Sequence, residues 1–184
     1  PEWLVQFAVM ATAYAQAQGI AEPSVGLLSI GEEEHKGNEL TLQTFPLLKA
    51  VPGLRFYGNV EGRDIFKGTT DIVVTDGYTG NVVLKLSEGE ARTIFKWIRE
   101  ALSGGSLLTR LGALLVRPAL QSLRAKMDPA EYGAMPLLGV EGPVFIGHGS
   151  ADGRAVLSAI RKARGVVEAG LVERVRAGMA RLAG

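Results

Sequence analysis

Apolar positions along the chain fall into two rhythms, and the alternation between them predicts the architecture. Glu2 to Gln18 is apolar at helical density and is followed by the stop signal Gly19, which predicts a helix packed on a sheet. Ser24 to Ile30 is a short apolar run with the character of a buried strand. A helix is predicted from about Asn38 to Leu48, then strand-like Leu54 to Tyr57, a polar turn, and strand-like Ile72 to Thr75. A further helix spans about Asn81 to Leu102 and is broken by Gly104 and Gly105. Leu107 to Met127 resumes a helical pattern through Leu107, Leu111, Leu114, Leu115, Leu120 and Leu123, with a kink expected at Pro118. Val144 to Ile146 is the last predicted strand, and Asp152 to Leu182 is helical in one or two pieces. Apolar strands bounded by turns and alternating with helices predict an α/β fold with a parallel sheet covered on both faces.

Composition narrows this little, and charge distribution narrows it more. A chain of 184 residues with 47% apolar and 21% charged residues is an ordinary globular chain, long enough for one core and read as a single α/β domain. It opens at Pro1 directly on a helix, as the carboxyl-terminal part of a longer protein would. Its apolar runs fall far short of the roughly 18 residues a membrane span needs. Without cysteine there is no disulfide, no thiolate nucleophile and no cysteine-bound zinc, and a reducing cytoplasm fits. The net charge of +1 gives no reason to expect nucleic acid. Between Arg92 and Lys126, however, seven basic residues face the single acid Glu100. A basic segment on an otherwise acidic body points to an anionic partner.

The candidate chemistry lies in four polar, glycine-containing segments, each read as following an apolar strand and preceding a helix: Gly31 to Asn38, Gly58 to Asp64, Asp76 to Asn81 and Gly147 to Asp152. In an open α/β sheet, ligands bind at that edge. Helix amino termini there offer free N–H groups and a partial positive charge, so an anion such as phosphate is favoured. Gly77 and Gly80 would admit an anion close to the backbone, Thr79 and Asn81 add donors, and Lys85 lies one turn beyond Asn81 on the same face. No segment matches a P-loop or a dinucleotide fingerprint, so a nucleotide is not indicated. His35, among Glu32, Glu33 and Glu34, is read as part of a charged helix entrance rather than a metal site. His148, between Gly147 and Gly149, fits either a hydrogen-bonded imidazole or a catalytic acid. No serine stands in a nucleophile elbow, so any chemistry would use a bound nucleophile.

Taken in order, IGEEEHKGNEL, GNVEGRD, VTDGYTGNVVLK, EYGAMPLLG and IGHGSADGRA, running from Ile30 to Ala155, resemble the PlsX family, the bacterial acyl-acyl-carrier-protein:phosphate acyltransferases of phospholipid synthesis. Pro1 to Ala15 is similar to a helix of that family. The resemblance implies a three-layer αβα fold with a mainly parallel sheet, akin to isopropylmalate dehydrogenase and phosphotransacetylase. It also implies a homodimer, peripheral association with the cytoplasmic membrane, and phosphorolysis of an acyl thioester to acyl phosphate and free acyl carrier protein, with no cofactor. Family enzymes begin with a further α/β portion that has no counterpart here. On this resemblance, Lys36 and Lys85 would supply charge to phosphate, Asn38, Asn59 and Asn81 hydrogen bonds, Gly77 and Gly80 backbone access, and His148 a proton. Asn59 and Asp64 fit turn-stabilising roles equally well. Other expectations are a phosphotransacetylase-like or dehydrogenase-like relative acting on a small soluble substrate, and a noncatalytic module that binds carrier protein or lipid.

The segment from residue 92 to 132 is read as a helical hairpin insertion. Arg110, Arg117 and Arg124 recur every seven residues and so share a face, with Leu107, Leu111, Leu114 and Leu115 beside it. Such a helix suits an anionic membrane surface, an acidic carrier protein, or a second copy of itself.

Overall fold

The computed structural model describes residues 1–126, 133–147, 149 and 151–183, with side chains at 124–126 and 183 left aside. In chain order the elements are α1 (Glu2–Ala17), β1 (Ser24–Leu28), α2 (Glu39–Ala50), β2 (Arg55–Val60), α3 (Gly62–Lys67), β3 (Ile72–Val74), α4 (Gly77–Gly104), α5 (Leu107–Lys126), β4 (Ala134–Pro136), β5 (Phe145–Gly147), α6 (Gly153–Glu168) and α7 (Leu171–Ala183). The fold is mixed α/β, mostly helical, around a small parallel sheet.

That sheet has the order β2-β1-β3, with β1 parallel to both neighbours. Val25 and Leu27 are alternate residues of β1 and so share a face. They meet Leu4, Val5 and Ala8 of α1, Phe45 and Leu48 of α2, and Val74 of β3 in one buried cluster. Phe56 of β2 joins it, edge-on to Phe45 with ring centroids 5.1 Å apart. α1 is covered in turn by α7, whose Gly178 packs so closely on Val9 of α1 that a side chain there would collide with it.

The structure corrects the sequence expectation at three places. Gly58 to Val60 is not a turn after β2 but its second half, because a bulge falls opposite Val25 and Gly26: Val25 pairs with Phe56, whereas Gly26 pairs with Gly58. Gly58 carries φ +122°, a conformation that residues with a Cβ rarely take. The extra residue resets which side chains of β2 point inward. The polar stretch after it is a short helix, α3, opened by a capping box in which the Glu61 and Asp64 side chains each bond the other's backbone N–H. Finally, the last strand does not extend the parallel sheet. β5 pairs antiparallel with β4, a strand of three residues ending in proline, and α6 packs on this separate pair.

α4 and α5 follow one another as two long helices, and α5 runs through Pro118. α4 buries no residue, and no described residue of α5 is buried either.

Candidate functional site

Because β1, β2 and β3 are parallel neighbours, their carboxyl ends open on one edge, and the loop 29–38, the start of α3 and the start of α4 all stand there. Three of the four predicted segments are therefore brought together. The fourth follows β5 on the separate sheet, and His148 lies outside the described residues.

The loop after β1 is held from below. Ser29 donates from its hydroxyl to the carbonyl of Lys36 at 3.0 Å, and its own N–H donates to the Val60 carbonyl at 2.8 Å. Asn59, only 3% exposed, donates from Nδ2 to the Glu33 carbonyl at 2.8 Å and reaches the Lys36 carbonyl at 3.5 Å. Its Oδ1 is buried with no hydrogen-bond partner among the described residues, which costs about 1–3 kcal/mol. Gly37 turns the chain with φ +129°, and a Cβ there would run into Thr41 Oγ1 and meet Ser29 Oγ. Glu34 is paired with Lys49 at 2.8 Å and Glu32 lies 3.4 Å from Arg63, so two of the three acids are drawn outward to α2 and α3. Lys36 itself is exposed, and its ammonium has no ion pair among the described residues. His35 is exposed as well.

Asn38 caps α2: its Oδ1 accepts from the Thr41 N–H at 2.9 Å, leaving its amide nitrogen for other work. Asp64 is occupied internally. Its Oδ2 accepts from the Glu61 N–H at 3.0 Å and its Oδ1 pairs with Lys67 at 2.9 Å. The Lys67 hydrogen bond, followed by the Glu61 backbone, lowers its carboxyl pKa. A buried anion so engaged caps its helix and would repel a phosphate.

At the start of α4, Asp76 accepts from the Thr79 N–H at 2.9 Å and from the Thr79 hydroxyl at 2.6 Å, and its carbonyl accepts from the Gly80 N–H. The hydroxyl hydrogen bond, then the backbone one, lowers the Asp76 pKa. This helix terminus already carries a carboxylate, so Thr79 is spoken for. Gly77 faces open space where a Cβ would stand, whereas a Cβ at Gly80 would lie 3.1 Å from Thr75. Asn81 and Lys85 are exposed, with no side-chain partner among the described residues. Groups near this edge without a side-chain partner among the described residues are thus Lys36 and Asn38 Nδ2 on the loop and, in the second and third turns of α4, Asn81 and Lys85. Around them stand two large exposed side chains, Ile30 (80% exposed) and Tyr78 (83%).

Two shaping residues escaped the sequence reading. Asp76 stands three places before Thr79, a capping pattern visible in the sequence. Ser29 has no such signal, because its partner is set by the loop's return.

Between α4 and α5 lies a groove of about 930 Å³, lined by Arg92, Lys96, Arg99, Arg110 and Arg117 along with Phe95, Leu102 and Leu114. Arg110 also donates to the Ser103 carbonyl at 3.0 Å. Leu107, Leu111 and Leu115 are exposed along the same helix, and the Arg124 side chain lies outside the described ones.

The strand-end edge thus presents exposed cationic and amide side chains beside two helix starts. The chain belongs to the fatty acid synthesis protein family, whose profile matches residues 1–174. It is similar to a phosphate acyltransferase of Thermus thermophilus, 66% identical over 176 residues that cover 96% of this chain and 54% of that protein. It is also similar to the phosphate acyltransferases of Aquifex aeolicus (52% identity; 89% and 48% covered) and Bacillus subtilis (47%; 91% and 50%). The chain spans about half the length of these curated relatives.

Proposed function

We propose that this chain forms part of a phosphate acyltransferase that converts an acyl-acyl-carrier-protein and inorganic phosphate to acyl phosphate and free carrier protein, for phospholipid synthesis in the cytoplasm. Identity of 47–66% over 89–96% of the chain to proteins named phosphate acyltransferase is the observation that carries this. The three-layer fold akin to isopropylmalate dehydrogenase, with residues 1–184 as one domain and 92–132 as its hairpin insertion, belongs to the same proposal.

The chemistry asks little of the protein beyond placement. Phosphate near neutral pH is already anionic, so its oxygen attacks the thioester carbonyl carbon without a protein base. The carbon–oxygen bond forms, the carbon–sulfur bond breaks, and the thiolate leaves and takes a proton. A thiol pKa of roughly 8.5 makes it a fair leaving group. Lys36, Lys85 and Asn81 would hold phosphate, with Asn38 Nδ2 and the Gly77 N–H nearby, and donors aimed at the developing oxyanion would lower the barrier. His148 would protonate the thiolate. Ile30 and Tyr78 offer apolar contact beside the phosphate, where an acyl chain's first methylenes would lie.

The groove between α4 and α5, with its five cations and its exposed leucines, suits an anionic bilayer surface or an acidic carrier protein, with a second copy of the chain as a further occupant. Among the described residues no helix is long and apolar enough to cross a membrane, so contact would be peripheral.

Acyl phosphate formation by the full-length protein, with Lys36→Ala and Asn81→Ala variants, tests the proposal. Each should weaken phosphate use about tenfold or more with folding intact, since a charge-assisted hydrogen bond contributes roughly 1.5–3 kcal/mol. Unchanged phosphate dependence in both would remove the site.

A further inference from the structure

Asn59 presents a contradiction that a purely structural role does not resolve. A leucine in its buried place in β2 would remove the unpartnered Oδ1 but would also take the Nδ2 donor from the Glu33 and Lys36 carbonyls, so the amide is there for its donor half alone. That donor acts on the backbone of the loop carrying Lys36. The Ser29 hydroxyl, at the end of the adjacent strand, acts on the same loop and on the Lys36 carbonyl itself. Two polar side chains from neighbouring strand ends thus fix the peptide of Lys36, while the Glu32 and Glu34 ion pairs draw competing acids away.

We infer that Ser29 and Asn59 are a pair of positioning residues for phosphate use, acting through the Lys36 backbone and touching no substrate. This rests on the proposed role of Lys36. The bulge at Gly58 is part of the device, since it sets the register in which Asn59 stands inward beneath the loop. Without both bonds the Lys36 peptide is free to turn, its ammonium loses a fixed place, and phosphate is held less often in an attacking position.

Ser29→Ala, Ser29→Thr and Asn59→Leu in the full-length protein separate placement from folding. The Leu variant removes the orphan acceptor along with the donor, so the relief of the first offsets the loss of the second and its thermal midpoint should stay near that of the parent. kcat/KM for inorganic phosphate should fall about fivefold or more in Ser29→Ala and Asn59→Leu, the worth of one or two hydrogen bonds. KM for the acyl substrate should stay put, and Ser29→Thr should restore most of the loss. In a Lys36→Ala background, Ser29→Ala should add nothing, because its effect passes through that lysine. Folded Ser29→Ala and Asn59→Leu proteins with parental phosphate dependence, or losses that add to that of Lys36→Ala, overturn the inference. If Lys36→Ala itself leaves phosphate use unchanged, it is the phosphate site that fails. If Lys36→Ala is impaired while the other two are not, only the positioning role is lost.

Discussion

The sheet end and the α4–α5 pair spend their polar groups in opposite ways. At the sheet end five polar side chains are bonded into the frame: Ser29 and Asn59 to the loop, Asn38 and Asp76 to helix starts, Asp64 to its own capping box. On α4 and α5 no described side chain is buried, leucines stand exposed, and the cations line an open groove. The first region fixes a few atoms in place. The second leaves an apolar and cationic surface open.

Substitutions that test this contrast range from large to small effects. Leu48→Ala, beneath the sheet, should cost about 2–5 kcal/mol in denaturant unfolding, whereas Leu115→Ala should change it by less than about 0.5 kcal/mol. A large cost at Leu115 would show that its face of α5 is covered in solution, as by a second copy. Next comes the joint reversal of Arg110, Arg117 and Arg124 to glutamate. At about 1 kcal/mol for each basic residue near an anionic surface, it should lower liposome flotation and carrier-protein affinity by about two orders of magnitude or more, and less at high salt. Flotation and titration unmoved by the reversal would mark the face as solvated surface only. Asp76→Ala should cost about 1 kcal/mol of thermal stability by uncapping α4.

The smallest effect is one of pH. Asp64, Asp71 and Asp76 all have lowered carboxyl pKa values, held respectively by Lys67, Ser24 and Thr79 as first partners. Unfolded carboxyls titrate near about 3.9, so the folded state binds these protons less readily. Their stabilisation is fully present above the unfolded value and is lost as pH falls through the folded ones. Melting curves between about pH 6 and pH 3 should show this decline, and an Asp71→Asn variant should show a shallower one. An acid limb equally steep in that variant would remove Asp71 from the account.

Helices and the central strands were legible because their signals are local: apolar spacing, Gly19 after α1, Asn38 before α2. What was not legible depended on pairing across the chain. Nothing in Tyr57-Gly58-Asn59 announces a bulge, because the register is decided by β1 and by Phe56 seeking Phe45. Hence Asn59 reads as a turn residue and stands in a strand. β4 has three residues and ends in proline, too short for any period, and exists through its pairing with β5. The α3 helix was readable after all, through Glu61 and Asp64 three places apart. At the site, the sequence located the three strand-end segments that share an edge; it left Asp64 between phosphate and its turn, and the structure shows it bonded to the Glu61 N–H, while Thr79, read as a donor to phosphate, bonds the Asp76 carboxylate.

Gly37 gives this loop an unusual division of freedom. Its φ of +129° and the crowding by Thr41 and Ser29 exclude any side chain, so the hinge beside Lys36 admits no substitution without moving the lysine. Residues 32–35, by contrast, are exposed and are held through the Glu33 carbonyl and outward ion pairs. A change of charge at these positions would therefore alter the electrostatic potential around the lysine while leaving the backbone that carries it in place. Under the proposed role of Lys36, phosphate affinity becomes a quantity that small charge steps adjust on a frame that stays put.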